Sequence, residues 1–346
     1  VKAIAAGLRE AASRIRGLVT DQNRFDVGAL TFGSANAASV RYRVLQFLPF
    51  LEQAGIRTTL LSSLEAAMES PDFPVCWIQK KLLSRRKVRS LARRHKLVFD
   101  FDDAIWTSEK GDRSLFTRLR TGARLASVLK HSAVVMAGND YLADYARRYN
   151  ANVLVVPTVV DTALYPARQH ADSRVVTLGW VGHSVNFKYL AALCDALRRV
   201  AAVRPVRLLV VADQDFHAEG VEVENRRWAE DTEVANILNM DIGLMPLADD
   251  EWTRGKCGFK AIQYMAAGIP PVASRVGMNV QLVDHGTDGF LATSQQEWFD
   301  ALTLLCADPA LRQRVGQAAR LKIQARYSLQ GTGPVVSRIF AGLLQP

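Results

Sequence analysis

Residues 254–274 read RGKCGFKAIQYMAAGIPPVAS, and the order of local signals in them decides the fold class. Gly255 and Gly258 punctuate a basic loop holding Lys256, Cys257, Phe259 and Lys260. Lys260 to Ala267 has helical composition, Gly268 is a natural C′ residue and Pro270 a natural stop. Val272 to Ser274 then reads as a short strand. Loop, helix and strand in this order form the repeating unit of an α/β layer. A glycine-containing loop that enters a helix N-terminus also turns free N–H groups and the positive end of the dipole outward, which suits an anion.

The same alternation extends to both sides. Upstream, Val175 to Val181 reads as a strand, GHSVNFK as a Gly-led turn, Tyr189 to Val200 as a helix, and Arg207 to Val211 and Ile242 to Pro246 as further strands. Downstream come a strand and loop at 276–284, an Asp-Gly turn at 288–289, strand Phe290 to Ala292, and helices at 295–307 and 309–326. The first half runs in parallel. Val27 to Phe32 is a strand, followed by a small-residue loop and by a helix from near Arg41 whose Val44, Leu45, Leu48 and Leu51 recur at helical spacing until Gly55. Strands are expected at 58–61, 75–78, 97–101, 133–137 and 153–156, and Asn139 or Asp140 is expected to cap the helix after the fifth strand. Two runs of α/β alternation predict two doubly wound domains, 25–165 and 166–328. An Ala-rich helix precedes them over 1–24, and a C-terminal helix at 329–346 is expected to pack back toward the first domain.

At 346 residues, 49% hydrophobic and 23% charged, the chain has a globular composition and room for two cores. No apolar run approaches the ~20 residues of a membrane span. The opening VKAIAAGLREAASRIRGLV is too interrupted by charge for a signal-peptide core. Cys76, Cys194, Cys257 and Cys306 are scattered without metal-ligand spacing, which favours reduced thiols and a cytoplasmic setting. The net charge of +10 lies entirely before Arg168, where 25 basic residues meet 15 acidic ones. Much of it sits in Lys80 to Lys96, which has no acidic residue and enough apolar spacing for a surface helix. That face suits solvent, an anionic membrane surface or a phosphate-bearing substrate. Asp100, Asp102 and Asp103 in FDFDDAIW resemble a metal-binding DxD, yet a strand end carries such carboxylates for capping as well, and no metal is expected.

RYRVLQFLPFLEQAGI, FDFDDAIW, GNDYLADYA, GWVGHSVNFKYL and GKCGFKAIQYMAAGIPPVAS occur in the order found in bacterial glycosyltransferases of family 4, also called glycosyl transferases group 1. The resemblance implies a GT-B fold, two Rossmann-like domains facing across a cleft, with acceptor bound by the N-terminal domain and nucleotide sugar by the C-terminal one. It implies transfer with retention of anomeric configuration, no metal and no cofactor beyond the nucleotide-sugar co-substrate, acting on a surface-glycan or lipid-linked acceptor at the inner face of the cytoplasmic membrane. Carried over by position, Gly182 and His183 face the donor pyrophosphate. Lys188 and Lys256 are the catalytic cations, and Cys257, Gly258, Phe259, Lys260 and Gln263 complete the donor segment. Arg41, Arg43, Gln79, Asp102 and Asp103 are the candidates for acceptor binding. The chain departs from the family pattern at its two glutamates, whose positions fall on Gly255 and Gln263. Competing readings are a nonenzymatic GT-B-like scaffold and a basic membrane- or nucleic-acid-binding protein, although no nucleic-acid recognition motif is present.

Overall fold

The computed structural model describes residues 25–34, 37–69, 73–108 and 114–345. The helix expected over 1–24 lies outside them. Among these residues two six-stranded sheets form, and every strand pairing is parallel. The first contains β1 (Val27–Leu30), β2 (Thr58–Leu60), β3 (Val75–Gln79), β4 (Lys96–Phe101), β5 (Ser132–Ala137) and β6 (Val153–Val155), in the order 2-1-3-4-5-6. The second contains β7 (Val176–Val181), β8 (Val206–Ala212), β9 (Glu222–Arg227), β10 (Ile242–Met245), β11 (Pro271–Ser274) and β12 (Phe290–Ala292), in the order 12-11-10-7-8-9. This is the expected α/β architecture. Strand order reverses at β1/β3 in the first sheet and at β7/β10 in the second, and ligands of open α/β sheets bind outside the strand carboxyl ends at such points.

Burial follows from the parallel topology, in which helices cover both faces and central strands are apolar throughout. β1, β7 and β10 are buried at every residue. One face of the second sheet packs Trp180, Leu190, Leu197, Leu302 and Leu305; the other packs Tyr264, Met265, Met240 and Ile323. Gly243 and Gly179 have no side chain because none fits. A Cβ on Gly243 would lie 2.3 Å from the Tyr264 ring, and one on Gly179 would lie 2.0 Å from Met240 Sδ.

Four local expectations change. β9, EVENRR, was not anticipated, since its charged residues show no apolar alternation; it is an edge strand that pairs with β8 alone among the described residues, and its Glu224 bridges Arg207 at 2.9 Å and Arg226 at 2.6 Å. Residues 279–282 form a short helix where a strand and loop were expected, with Asn279 Nδ2 donating back to Ser274 O at 3.0 Å. The helix expected over 189–200 is broken into Phe187–Ala191 and Cys194–Val203. In the basic segment only Arg85–Ala92 is helical, capped by Ser84. Lys80 instead adopts a left-handed backbone, φ 57°, and turns to Asp102 and Asp103.

The chain divides into two compact units. One holds Val160–Asp250 and Gly258–Ser328. The other holds the described residues before Val160, the segment Glu251–Cys257 and the final helix Leu329–Leu344. Glu251–Cys257, expected within the second domain, packs in the first unit for identifiable reasons. Asn139 Nδ2 donates to the carbonyls of Gly255 and Lys256 at 3.2 and 3.1 Å, and Cys257 Sγ lies 3.3 Å from Asp102 O. The final helix packs in the same unit through Phe340 on Trp77, while Lys96 Nζ donates to Leu343 O at 2.8 Å.

Candidate functional site

In the second unit, the carboxyl ends of β10 and β11 and the segments following β7 and β12 surround a cavity of about 370 Å³. Lys188, Leu247, Ser274, Thr293, Gln295 and Trp298 are among its lining residues. Each is brought there by a simple local device. Lys188 stands on the short helix after β7, its Nζ 5.0 Å from the Tyr189 ring centroid. Ser274 closes β11, and its Oγ accepts the Leu247 N–H at 2.9 Å, which sets the path of the chain leaving β10. Gln295 opens the helix Gln295–Ala307, where Ser294 and Glu297 make a reciprocal capping box. Its amide bonds Ala192 O, at the end of the helix carrying Lys188, and Ala196 N in the next helix, Cys194–Val203. Trp298 forms an apolar wall, 3% exposed. A cation, hydroxyls and an indole around one cavity can hold a phosphorylated, ring-bearing ligand.

A second group gathers around the β7 exit. Gly182 is required there, since a Cβ would meet the Trp180 ring at 2.4 Å and Lys260 Cε at 2.9 Å. Lys260 lies across the same indole, Nζ 5.6 Å from its centroid. His183 is two-thirds exposed; its Nδ1 accepts the Val185 N–H at 3.3 Å, so the neutral ring carries its proton on Nε2, 3.5 Å from Asp213. Asp213 accepts from Ser184 N and Oγ at 2.7 and 2.8 Å, and these bonds hold its carboxyl below the usual range.

The helix Phe259–Ala266 begins after Gly258, whose φ of 65° favours glycine. Tyr264 fastens it to the sheet by accepting the Val181 N–H at 3.0 Å, and burial raises the phenol's pKa well above its ordinary value. Gln263 does not reach the cavity. It is 1% exposed and its Nε2 donates to Tyr165 Oη at 3.1 Å. Of the donor-side residues expected from sequence, only Lys188 lines the cavity; Gly182, His183 and Lys260 gather at the β7 exit, and Lys256 and Cys257 belong to the other unit.

In that first unit the acceptor candidates come from the carboxyl ends of β1, β3 and β4 and the segments that follow them. Arg43 is a correction to the expected role: at 1% exposure it is a core residue, bonded through Nε and Nη2 to Asp100 and through Nη1 to Val156 O at 2.6 Å. Burial opposes both charges; at Arg43 the Asp100 carboxylate outweighs it and the guanidinium stays protonated. Gln79 is likewise buried, its Oε1 accepting the Phe32 N–H at 2.9 Å. Asp102 and Asp103 share the Lys80 ammonium. Burial pushes Asp103 up, while Lys80 and, more weakly, Lys256 draw it down. Arg41 sits half-buried on the helix Ala38–Arg43 beside Tyr42, 5.1 Å from that ring.

Sequence reasoning passed over Trp298, Ser274 and Leu247, because contributors from three separate strand ends share no local motif. Asn139 was legible as a cap, and its Oδ1 does accept Leu142 N at 2.9 Å; the second role of its Nδ2 left no sequence signal.

Residues 172–308, which contain the cavity and the β7 exit, match the family described as Glycosyl transferases group 1. A stretch of 86 residues is 34% identical to the D-inositol 3-phosphate glycosyltransferase of Pseudarthrobacter chlorophenolicus. It covers 24% of this chain and 19% of that relative, so the chain spans about a fifth of the curated protein it matches. Among solved structures, sucrose-phosphate synthase from Thermosynechococcus elongatus superposes with a TM-score of 0.73 at 15% identity, over 92% of this chain and 99% of the other. HepE from Anabaena, solved with UDP and glucose, gives 0.68 at 14% identity, over 92% and 100%. At these identities the likeness shows a shared fold, the GT-B pair of α/β domains.

Proposed function

We propose that the chain is a glycosyltransferase that moves a sugar from a nucleotide-sugar donor to a surface-glycan or lipid-linked acceptor, with retention of configuration and without a metal ion. The observation that carries this reading is the coincidence of the family match over residues 172–308 with a cavity at the strand-order reversal of the second sheet, lined by Lys188. The UDP and UDP-glucose complexes of the HepE relative support a uridine nucleotide as the donor's carrier.

On this reading Trp298 and the β10–β11 loop enclose part of the nucleotide, and Lys188 meets a phosphate oxygen. As the glycosidic bond breaks, charge grows on the departing diphosphate, and a lysine aimed at it stabilises that state more than the ground state. Lys260 and the exposed His183 at the β7 exit add cationic and donor groups for the same diphosphate. The first unit binds the acceptor, with Asp102 and Asp103 among the candidate contacts, and the donor phosphate takes the proton of the acceptor hydroxyl. Association with the inner face of the cytoplasmic membrane follows from the lipid-linked acceptor. Gly255 and Gln263 favour a second reading, a scaffold without catalysis: neither position supplies a carboxylate, and Gln263 is committed to Tyr165.

Incubation with UDP-glucose, UDP-galactose and UDP-N-acetylglucosamine, followed by assay of released UDP, separates the two. The proposed enzyme releases UDP from one of these donors, slowly to water and faster once acceptor is supplied. Absence of release from every nucleotide sugar tried, at high enzyme concentration, supports the scaffold.

A further inference from the structure

The helix Leu115–His131 is held by its second half. Leu125, Val128 and Leu129 are buried in the core of the first unit, whereas residues 115–120 are exposed except for half-buried Thr117. The overhanging turns are nevertheless well formed, since Ser114 Oγ caps the helix by accepting the Thr117 N–H at 3.3 Å. They carry Leu115, Phe116 and Leu119 at 77%, 73% and 73% exposure, the three most exposed large apolar side chains described. Arg118 and Arg120 flank them; Arg120 lies 5.9 Å from the Phe116 ring and Arg118 is 4.0 Å from Glu251. Packed alongside is the helix Arg85–Ala92, with Arg85, Arg86, Lys87 and Arg89 exposed and Arg93 and Arg94 following it. Among the described residues one carboxylate answers that row, Glu65 at 3.6 Å from Lys87.

An apolar trio beside a row of arginines is matched by a surface that is anionic outside and apolar just beneath. We propose that the overhang is a lipid-docking wedge: Leu115, Phe116 and Leu119 enter the headgroup–acyl boundary of an anionic bilayer, and the arginines of the neighbouring helix pair with headgroup phosphates. Because this helix follows β4, its N-terminal end lies at the carboxyl edge of the first sheet, where Asp102 and Asp103 stand. Docking therefore brings that edge to a lipid-linked acceptor, a deepening that rests on the acceptor assignment above. It also revises the expected basic surface: Lys80 is committed to Asp102 and Asp103, and the apolar contribution comes from a helix that the charge pattern alone did not single out.

The test is cosedimentation with vesicles of phosphatidylcholine alone and with about one-third phosphatidylglycerol. The proposal expects binding to the anionic vesicles, weakened roughly tenfold or more by Leu115→Ser, Phe116→Ser and Leu119→Ser together, at unchanged melting temperature. Arg85→Gln, Arg86→Gln and Arg89→Gln together remove most of the salt-sensitive part of the binding. As a gain-of-signal control, Phe116→Trp acquires emission that lipids brominated in the acyl chain quench, beyond any quenching in the parent protein. Equal binding of the serine variant, no added quenching, or no binding to anionic vesicles overturns the proposal. So does concentration-dependent dimerisation that the serine substitutions abolish, which assigns the patch to a second copy of the chain. Vesicle binding is read without any transfer reaction, so its failure and the failure of the glycosyltransferase reading are seen separately.

Discussion

Arg43 illustrates how a residue's charge can be read correctly and its task misread. An arginine at the first strand-to-helix junction suggests a ligand contact, yet here the guanidinium lies in the core between Asp100 and the Val156 carbonyl. Breaking such a buried pair leaves an uncompensated carboxylate, so Arg43→Ala is expected to destabilise the protein by about 3–5 kcal/mol in urea denaturation, with UDP affinity of the surviving folded protein unchanged. Gly255 is constrained in the same way. A Cβ there would lie 2.6 Å from Ala104 Cβ and 2.7 Å from its backbone nitrogen, so Gly255→Glu should lower stability rather than restore a family carboxylate. His170 contributes the clearest pH dependence. Its Nε2–H donates to Gly268 O at 2.9 Å, leaving a bare Nδ1, and burial holds the ring's pKa below its usual value. The folded state then binds fewer protons than the unfolded one. The neutral ring's contribution is complete above an unfolded pKa of about 6.5 and is lost as pH falls through the lower folded pKa. Melting temperature should therefore decline more steeply below that pH in the parent than in His170→Gln, with this residue adding at most about 1.4 kcal/mol per pH unit.

Among the elements, the stretch 254–274 was the most legible, and the reason is local. Gly258 in a left-handed conformation, an apolar-faced helix and a Gly-Ile-Pro-Pro exit are set by backbone chemistry within a few residues. What could not be read was that the chain just before Gly258 packs in a different unit from the helix just after it. That placement depends on Asn139, more than a hundred residues away, through bonds to two main-chain carbonyls. Asn139→Ala should cost about 2–3 kcal/mol, by losing both the cap and these bonds, whereas Asn139→Ser should recover about 1 kcal/mol by restoring the cap alone. Chemical denaturation of the two variants distinguishes these contributions. β9 was hidden for the opposite reason: an edge strand has little to bury, so its hydrophobic pattern vanishes even though all six of its residues pair with β8.

For the molecule as a whole, the division into two α/β units was legible because each repeats the same alternation, while site assembly was legible only in part. Charge asymmetry pointed to distinct partners for the halves, and the first unit does carry the arginine-rich helix and the exposed apolar turns. The donor cavity was indicated through Lys188 alone, since its other walls come from strand ends that meet only after folding. No helix among the described residues is long and apolar enough to cross a membrane. The central claim is that the cavity of the second unit binds the nucleotide of a sugar donor. Its most direct test is calorimetric titration of UDP into the parent protein and into Lys188→Ala, with melting temperatures measured in parallel. The account predicts saturable one-site binding that stabilises the parent by about 2.7 kcal/mol at a hundredfold excess over Kd, and at least tenfold weaker binding by a folded Lys188→Ala. Absence of UDP binding, or equal affinity in the variant, would contradict it.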